Sequence, residues 1–360
     1  MKKLTVDIKE KNKCYPIIIK DGLLEELDRY LSAGQCLTTG QHPNGQRKFL
    51  ITNKKIYSLY EQYLKCFDSV IFMKDGEEYK NFDTYKMIID TLLDLKIERN
   101  DCIVAFGGGV VGDIAGFVAS TVLRGIDFVQ IPTTLLAQVD SSVGGKTGIN
   151  HEDGKNLIGT FYQPKMVLID PNTLNTLDDR QIKTGLGEVV KYAFIEKTCN
   201  ANLEGSFFDY LMQNSPVWNE IIYTSCLLKS AVVAQDEQEE GLRAILNLGH
   251  TFAHAIEKVS NYKVYTHGET VGMGVKMALK LSLNMGLIEK DYYDKGILLL
   301  NLYGLDIKLD ERYSAEDIYE AMKSDKKVSG KKINLILPTG FGQVELFADI
   351  EEPLIKASLL

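Results

Sequence analysis

Short hydrophobic runs alternate with longer amphipathic segments through the first half of the chain. Strand-like runs occur at residues 4–8, 15–19, 49–52, 70–73, 102–106, 128–131 and 166–169. Helical spacing of apolar residues occurs at 23–31 and from about 81 to 95. Such alternation is typical of a mostly parallel sheet covered by helices. Residues 32–47, rich in Gly, Thr, Gln and Asn, are predicted to form a surface loop.

The second half of the chain has a different pattern. The strand signal fades after about residue 176, and helical periodicity dominates from 180 to 323. A short predicted hairpin at 333–337 and 344–347 interrupts it. We therefore predict an α/β domain over residues 1–179 and a mainly α-helical domain over 180–360.

Composition and charge narrow the classes of protein to which this chain could belong. The 49 acidic residues outnumber the 41 basic ones, so no overall basic field favours nucleic acid. Six cysteines without a CxxC pair favour free thiols in a reducing cytoplasm. The N-terminus has no apolar core typical of a signal peptide. The most apolar run, 270–287, contains Lys276 and Lys280, which favours an amphipathic helix over a membrane span.

Three of the five histidines fall within eighteen residues: His250, His254 and His267. A helix predicted to begin near Asn247 would place His250 and His254 on one face, with Glu257 close to it. His267 would follow on a loop. This arrangement suits a Zn²⁺-type site with an open coordination position. Spacing alone leaves ordinary helix-surface histidines equally open, because His-x₃-His recurs by chance.

A glycine motif follows the predicted strand at 102–106. Gly107-Gly108-Gly109-Val110-Val111-Gly112-Asp113 matches G-x-G-x-x-G at a strand–turn–helix junction. In that context the glycines allow close approach of a pyrophosphate to the helix amides, which favours a dinucleotide over a plain tight turn. The segment 75–80 follows an earlier strand and offers carboxylates for ribose hydroxyls, although by itself a solvated loop is the favoured interpretation.

A further candidate segment spans residues 130–150 and is followed by Lys155-Asn156. Lysines flanked by glycine, Ser, Thr and Asn suit an anionic substrate, especially a phosphate. Gly144-Gly145-Lys146-Thr147 is similar to the end of a P-loop. It lacks the upstream glycine at the Walker spacing and does not directly follow a buried strand, which excludes a nucleotide triphosphatase.

Taken together, these segments resemble the 3-dehydroquinate synthase family over nearly the whole chain. The matching blocks are residues 107–113, 124–125, 132–150, 154–159, 163–164, 187–191, 243–257 and 267–269. The resemblance implies an α/β N-terminal Rossmann-like domain plus a mainly α-helical C-terminal domain, usually in a homodimer. It also implies a carbon–oxygen lyase of the shikimate pathway, which leads to chorismate and the aromatic amino acids.

The implied reaction converts a small anionic sugar-acid phosphate, 3-deoxy-D-arabino-heptulosonate 7-phosphate, to 3-dehydroquinate and phosphate. Its steps are transient oxidation by NAD, phosphate elimination, reduction and intramolecular aldol closure. The implied cofactors are NAD and a divalent metal, zinc or cobalt. Carried over by position, the metal ligands are Glu188, His250 and His267, and His254 becomes an active-site histidine near the phosphate.

The other positions follow from the same resemblance. The implied NAD contacts are Asp75, Gly76, Glu77, Glu78, Tyr79, Lys80, Gly109, Val110, Val111, Gly112, Asp113, Thr133, Thr134, Lys146, Lys155, Thr173, Leu174, Asn175 and Thr176. The implied substrate contacts and catalytic positions are Asp140, Lys146, Asn156, Lys191, Lys229, Arg243 and Asn247. Arg124 resembles an arginine that reaches the phosphate in the partner subunit, and one lysine is expected from the cluster 326–332.

Two segments, 32–47 and 196–206, look longer than is usual in the family, and neither contains a motif residue.

Three alternative functions stay open at this point. The first is another sugar-phosphate cyclase, of the inosose or valiolone synthase type. The second is a metal-dependent polyol dehydrogenase of related fold, and the third is a non-catalytic protein that senses NAD or metal.

Overall fold

The computed structural model describes residues 1–8, 13–32, 46–213, 215–327 and 333–359, without the side chains of 13 and 324–327. It divides into unit 1, Met1–Leu177, and unit 2, Asp178–Leu360. The sequence-based boundary after residue 179 lies beside this division. The predicted surface loop at 32–47 and the lysine cluster at 326–332 fall largely outside the described residues.

Unit 1 is built on a seven-stranded sheet with an added hairpin. Its strands are β1 (Lys2–Ile8), β2 (Lys13–Ile19), β3 (Lys48–Asn53), β4 (Ser69–Met73), β5 (Cys102–Gly107), β6 (Asp127–Pro132), β7 (Lys146–His151), β8 (Gly154–Phe161) and β9 (Met166–Ile169). The sheet order is β1-β2-β9-β6-β5-β3-β4. Only the β1–β2 pair of this sheet is antiparallel among the described residues, and the other neighbours run parallel.

Helices cover both faces of this sheet. They are α1 (Leu27–Ser32), α2 (Lys54–Tyr60), α3 (Phe82–Asp94) and α4 (Gly109–Thr121). Successive residues of a strand point to opposite faces, so Ile103 of β5 packs in a cluster with Ile88 and Ile114 of α3 and α4. Val104 instead packs with Leu27 of α1. Because both faces are covered, β5 and β6 are buried along their whole length and appear in the sequence as continuous apolar runs.

The parallel strands bring the loops that follow them to one edge of the sheet. The carboxyl ends of β3, β4, β5, β6 and β9 lie on the same side because these strands run in one direction. In open α/β sheets this edge is where ligands bind. The segments that begin at Asp75, Gly108, Thr133 and Asp170 all follow those ends.

The β7–β8 hairpin was not predicted from the sequence. Its strands pair antiparallel, with Thr147 opposite Thr160 and Gly148 opposite Gly159. A Cβ on Gly159 would lie 2.1 Å from the carbonyl oxygen of Thr147, so the two backbones approach as only glycine permits. Glycines and polar residues conceal the strand alternation in this segment. A π-helix, Ala137–Ser141, precedes it and was also missed.

Unit 2 is mainly helical. Its elements are α5 (Asp179–Ile195), α6 (Phe207–Leu211), α7 (Trp218–Gln235), α8 (His250–Val259), α9 (His267–Asn284), α10 (Lys290–Leu302), α11 (Ala315–Lys327), the hairpin β10 (Asn334–Gly340) and β11 (Gln343–Ala348), and α12 (Glu352–Ser358). The buried helix α9 packs against α5, α8, α10, α12 and β10.

Across the part of the chain that the structure describes, no helix combines the length and the apolar character needed to cross a membrane.

The segment before α8 differs from the sequence-based prediction. A 3-10 helix, Leu242–Asn247, comes first, and α8 begins at His250 rather than near Asn247. Gly249 has φ of 76°, and a Cβ on it would lie 2.8 Å from the backbone nitrogen of Val275 in α9. This left-handed glycine directly precedes α8 and lets the start of α8 approach α9.

The segment 196–206, which looks long for the family, folds back onto the start of α6. The buried Glu196 carboxylate accepts hydrogen bonds from Ser206 Oγ at 2.9 Å and from Phe208 N at 3.2 Å. Phe207 N donates to it as well. A carboxylate that accepts the free N–H groups of a first turn stabilises the helix terminus.

Candidate functional site

Three side chains from three helices of unit 2 converge on one point. Glu188 lies within α5, whereas His250 and His267 are the first residues of α8 and α9. Glu188 Oε1 lies 3.3 Å from His250 Nε2 and 3.2 Å from His267 Nε2. One ligand atom from each residue lies within 4.8 Å of the other two, so the group could hold a metal ion. Two imidazoles and one carboxylate leave the open position of a catalytic zinc-type site.

The second nitrogen of each imidazole has its own partner. His250 Nδ1 lies 3.1 Å from the carbonyl oxygen of Leu248, and His267 Nδ1 lies 3.0 Å from Glu257 Oε1. Both partners accept a hydrogen bond, so Nδ1 of each ring carries a proton and the Nε2 atom of each ring faces Glu188. This is the outer arrangement usually found around histidine metal ligands.

The electrostatics of the group favour positive charge beside Glu188. Its carboxylate is 1% exposed and forms an ion pair with the Lys191 ammonium, which is 2% exposed. Burial raises the pKa of Glu188, but Lys191, His250 and His267 together hold it well below its ordinary value. Burial likewise lowers the pKa of His267, yet Glu188 and Glu257 raise it to about 10. A pocket with this donor set and this charge preference fits a divalent cation.

His254 is separate from this group. Its side chain is exposed, and its ring centroid lies 5.7 Å from that of His250 at 87°. Among the described residues, the only group that could hold a metal is Glu188, His250 and His267. The His-x₃-His spacing therefore does not bring His254 into this group, whose other two members come from α5 and α9.

Arg243 is held in a compact loop between α7 and α8. It is 1% exposed, and its guanidinium donates to the carbonyl oxygen of Glu237. The Asp236 carboxylate accepts from the backbone N–H groups of Arg243 at 2.8 Å, Gly241 at 2.8 Å and Glu240 at 2.9 Å. Burial raises the pKa of Asp236, but these donors hold it below its ordinary value. The loop around Asp236 thus gives Arg243 a defined position.

Two other implied substrate residues of unit 2 flank this loop. Asn247 ends the 3-10 helix, and its Nδ2 donates to Glu239 Oε1 at 2.8 Å. Lys229 is 6% exposed and lies on α7. The 3-10 helix contacts both α5 and α7, so it packs beside the helix that carries Glu188 and Lys191.

In unit 1, a polar network links loops at the carboxyl edge of the sheet. Lys80 Nζ lies 2.5 Å from Asp113 Oδ2 and 2.5 Å from Asn156 Oδ1. Asn150 donates from Nδ2 to Glu77 Oε1 at 2.8 Å and accepts the backbone N–H of Asn156 at 2.8 Å. Burial lowers the pKa of Lys80, but the carboxylates of Asp113 and Glu77 raise it. The structure thereby joins the segment at 75–80, the start of α4 and the β7–β8 hairpin.

The glycines of the motif at 107–113 allow α4 to pack closely against its neighbours. A Cβ on Gly112 would lie 2.7 Å from Gln130 Oε1 of β6, and one on Gly108 would lie 3.0 Å from Thr134 Cγ2. Gly108 is the residue before α4 and makes no side-chain cap. The start of α4 therefore lies close to the Thr134 side chain, at the place where a Rossmann-type fold binds a pyrophosphate.

The two family models that match this chain meet within α5. The model described as 3-dehydroquinate synthase N-terminal matches residues 70–184, and the model described as 3-dehydroquinate synthase C-terminal matches residues 185–328. The chain belongs to the 3-dehydroquinate synthase family. Members of this family include the 3-dehydroquinate synthase of Desulforamulus reducens, 41% identical over 370 residues that cover 99% of both chains.

Two solved structures of related cyclases resemble the chain over most of its length. A 2-deoxy-scyllo-inosose synthase, complexed with carbaglucose-6-phosphate, NAD⁺ and Co²⁺, has a TM-score of 0.84 at 26% identity and covers 99% of both chains. A 2-epi-5-epi-valiolone synthase from Streptomyces hygroscopicus subsp. jinggangensis 5008, with NAD⁺ and Zn²⁺ bound, has a TM-score of 0.80 at 25% identity. That match covers 96% of this chain and 95% of the other.

The remaining positions that resemble the 3-dehydroquinate synthase family lie at several places in unit 1. Thr173, Leu174, Asn175 and Thr176 form most of a 3-10 helix after β9, and Gln138 Nε2 donates to Thr173 Oγ1 at 2.9 Å. Lys146 begins β7, Lys155 lies on β8, and Asp140 lies in the π-helix. Arg124 is exposed after α4.

Three polar residues at the carboxyl edge of the unit 1 sheet were not predicted from the sequence. Asn53 ends β3 and donates from Nδ2 to Asp75 Oδ1 at 3.2 Å, while Gln138 and Asn150 link neighbouring loops. Of the three, Asn53 has a signal in the sequence, because it is an asparagine that directly follows the apolar run at 49–52.

Proposed function

We propose that this chain catalyses the reaction of its family, the conversion of 3-deoxy-D-arabino-heptulosonate 7-phosphate to 3-dehydroquinate and phosphate. The observation that carries the proposal is the convergence of Glu188, His250 and His267 in a chain so similar to full-length members. The reaction class is a carbon–oxygen lyase of the shikimate pathway. The inosose- and valiolone-forming cyclases share the fold, but the relatives at about 41% identity carry the dehydroquinate name.

Glu188, His250 and His267 would hold a divalent ion, Zn²⁺ or Co²⁺. When bound, such an ion acts as a Lewis acid toward hydroxyl oxygens of the substrate. Glu257 and the Leu248 carbonyl keep the two rings oriented, and Lys191 balances the charge of Glu188. The related cyclases with Co²⁺ and Zn²⁺ in their structures support the choice of ion.

NAD would bind at the carboxyl edge of the unit 1 sheet. When bound, it supplies reversible hydride acceptance, so the whole reaction has no net redox change. The α4 amides would bind the pyrophosphate, and the carboxylates of Asp75 and Glu77 would accept ribose hydroxyls. Lys80 is fixed between Asp113 and Asn156, which keeps this edge ordered before the ligand arrives.

The substrate positions in unit 2 supply charge for an anionic ligand. Arg243 offers a planar fork that matches a carboxylate with two parallel hydrogen bonds, and Lys229 adds a second positive charge. His254, exposed on α8, would take part in proton transfer near the phosphate. A net charge of −8 does not oppose an anionic substrate, because these basic residues create a local field.

The assembly proposed for the chain is a homodimer that works in a reducing cytoplasm. Arg124 would reach the phosphate in the partner subunit. Leu123 and Arg124 have φ of 49° and 69°, a backbone conformation that costs non-glycine residues on the order of 1–3 kcal/mol each. Strain of this kind often accompanies a functional position.

The direct experiment measures phosphate release from the heptulosonate phosphate with and without NAD⁺ and metal. We expect release to require both, and absorbance at the NADH band to show no net accumulation over many turnovers. Stoichiometric NADH production would instead indicate a polyol dehydrogenase. Cyclisation of glucose 6-phosphate at a comparable rate would indicate an inosose synthase, and turnover of none of these substrates would favour a sensor.

A further inference from the structure

Glu257 is a buried carboxylate placed directly behind the proposed metal ligand His267. It lies on α8, two helical turns after His250, and is 7% exposed. Its Oε1 lies 3.0 Å from His267 Nδ1 and 3.0 Å from Thr270 Oγ1. A carboxylate in such a position is costly to bury unless its neighbours donate to it, and His267 Nδ1 and Thr270 Oγ1 are both within hydrogen-bond distance of Glu257.

The two histidines of the group differ in the partner of Nδ1. His250 is oriented by a neutral carbonyl of its own chain segment, Leu248 O. His267 is oriented by the charged carboxylate of Glu257, which comes from a different helix. A charged acceptor forms the stronger hydrogen bond and increases the electron density of the imidazole more than a carbonyl does.

The local backbone also directs His267 toward Glu257. His267 is the first residue of α9, where Thr266 and Glu269 form a capping box. One turn later, Thr270 Oγ1 lies 2.8 Å from the carbonyl oxygen of His267 as well as near Glu257. These contacts fix the backbone at the start of α9, and the His267 imidazole is held by Glu257 at Nδ1 and by Glu188 at Nε2.

We propose that Glu257 is the positioning residue for His267, holding Nδ1 protonated so that Nε2 stays available to the metal ion. This role depends on the metal site of the proposed function and adds to it a residue outside the ligand set. Removing the charge of Glu257 should weaken metal binding even though Glu188, His250 and His267 all remain. Changing an outer partner of this type typically costs roughly 10- to 100-fold in metal affinity.

The test uses the full chain stripped of metal and titrated with Zn²⁺ against a chromophoric chelator. We expect Glu257→Gln to bind Zn²⁺ roughly 10- to 100-fold more weakly than wild type, with one ion still bound at saturation. The same protein loaded with Co²⁺ should show a shifted visible absorption band, because the His267 ring is oriented differently. Thr270→Val, which keeps the carboxylate and removes one donor, should lose less affinity than Glu257→Gln.

Glu196→Gln is the matched control. Glu196 is also a buried glutamate of unit 2 that accepts several hydrogen bonds, but its partners are the first amides of α6. We expect this variant to keep wild-type Zn²⁺ affinity and the wild-type Co²⁺ band. If Glu257→Gln does not fold, Glu257→Asp, which retains the charge at a shorter reach, should show an intermediate loss of affinity.

The same measurements can also reject the proposed role of Glu257. A folded Glu257→Gln or Glu257→Asp protein with wild-type Zn²⁺ affinity and Co²⁺ spectrum would overturn the positioning role. His250→Ala separates this failure from a failure of the metal site itself. Loss of metal in His250→Ala with normal binding in the Glu257 variants rejects only the role of Glu257, whereas normal binding in both rejects the site.

Discussion

Gly187 of α5 and Gly268 of α9 face each other where the two helices cross. A Cβ on Gly187 would lie 2.5 Å from the Cα of Gly268, and a Cβ on Gly268 would lie 2.1 Å from the carbonyl oxygen of Thr184. Each glycine is the chain neighbour of a proposed ligand, Glu188 or His267. The close crossing is what allows these two side chains to meet.

The first prediction concerns this crossing. Gly268→Ala should destabilise the protein by about 1–3 kcal/mol, the usual cost of overpacking, and should weaken Zn²⁺ binding by separating α5 from α9. Denaturant unfolding of the metal-free protein and Zn²⁺ titration measure the two effects. Gly154→Ala is the control, because a Cβ there meets only the Leu157 side chain, at 3.3 Å. Wild-type stability and affinity in Gly268→Ala would show that the crossing tolerates a methyl group.

The second prediction separates the ligands from His254. Chelation should abolish phosphate release, and Zn²⁺ or Co²⁺ should restore it. His250→Ala should lose bound metal because His250 Nε2 faces Glu188, whereas His254→Ala should keep metal and lose activity. Elemental analysis of the purified variants gives the metal content per chain. Retained metal in His250→Ala together with lost metal in His254→Ala would reverse the assignment.

The third prediction concerns the substrate carboxylate. Arg243→Ala should lose on the order of 2–5 kcal/mol, the scale for truncating one side of a buried charged pair. That corresponds to roughly 30- to several-thousand-fold in kcat/KM. Arg243→Lys keeps the charge without the fork and should recover only part of the loss.

Sedoheptulose 7-phosphate, which lacks the carboxylate, should not be cyclised by the wild-type protein. Arg312→Ala is the control for Arg243, because Arg312 is an exposed arginine that pairs with Asp310 at 2.8 Å. Metal content should be unchanged in all the arginine variants. A near-wild-type Arg243→Ala enzyme would remove this residue from the substrate site.

The fourth prediction tests the partner role of Arg124. If Arg124 completes the partner's phosphate site, Arg124→Ala and His254→Ala proteins should each be nearly inactive. Mixing them should then regenerate some intact sites in heterodimers, seen as recovered phosphate release. Subunit exchange is verified by native mass spectrometry of differently tagged chains. Verified exchange without recovered activity would place Arg124 in its own subunit's function.

The fifth prediction concerns thiol reactivity and pH. Burial raises the pKa of Cys199 to about 12 and raises that of Cys102 as well. The thiolate is the reactive form, so the reactive fraction of Cys199 stays small as pH rises from 7 to 10. Alkylation mapped by mass spectrometry should therefore label the exposed Cys14 and leave Cys199 unmodified until the chain is denatured. Rapid labelling of Cys199 in the native protein would contradict its burial.

The sequence by itself determined the class of each half of the chain. Strand β9 was predicted with its observed bounds, and β3, β5 and β6 within one or two residues at each end. These strands are buried on both faces, so their continuous apolar runs are visible without knowledge of their neighbours. The glycine motif was also recognisable, because a strand, a tight turn and a helix are consecutive in the chain.

Only the tertiary structure decided which polar groups meet. Glu188 has no spacing relation to the histidines, and it joins them because α5 crosses α9 at Gly187 and Gly268. The β7–β8 hairpin escaped prediction because its pairing depends on close backbone approach rather than on alternation of apolar residues. The periodicity of apolar residues indicates which face of a segment is buried. A functional site depends instead on distances between segments that are remote in sequence. The orientation of His267 by Glu257 is a distance of this kind, and folding alone establishes it.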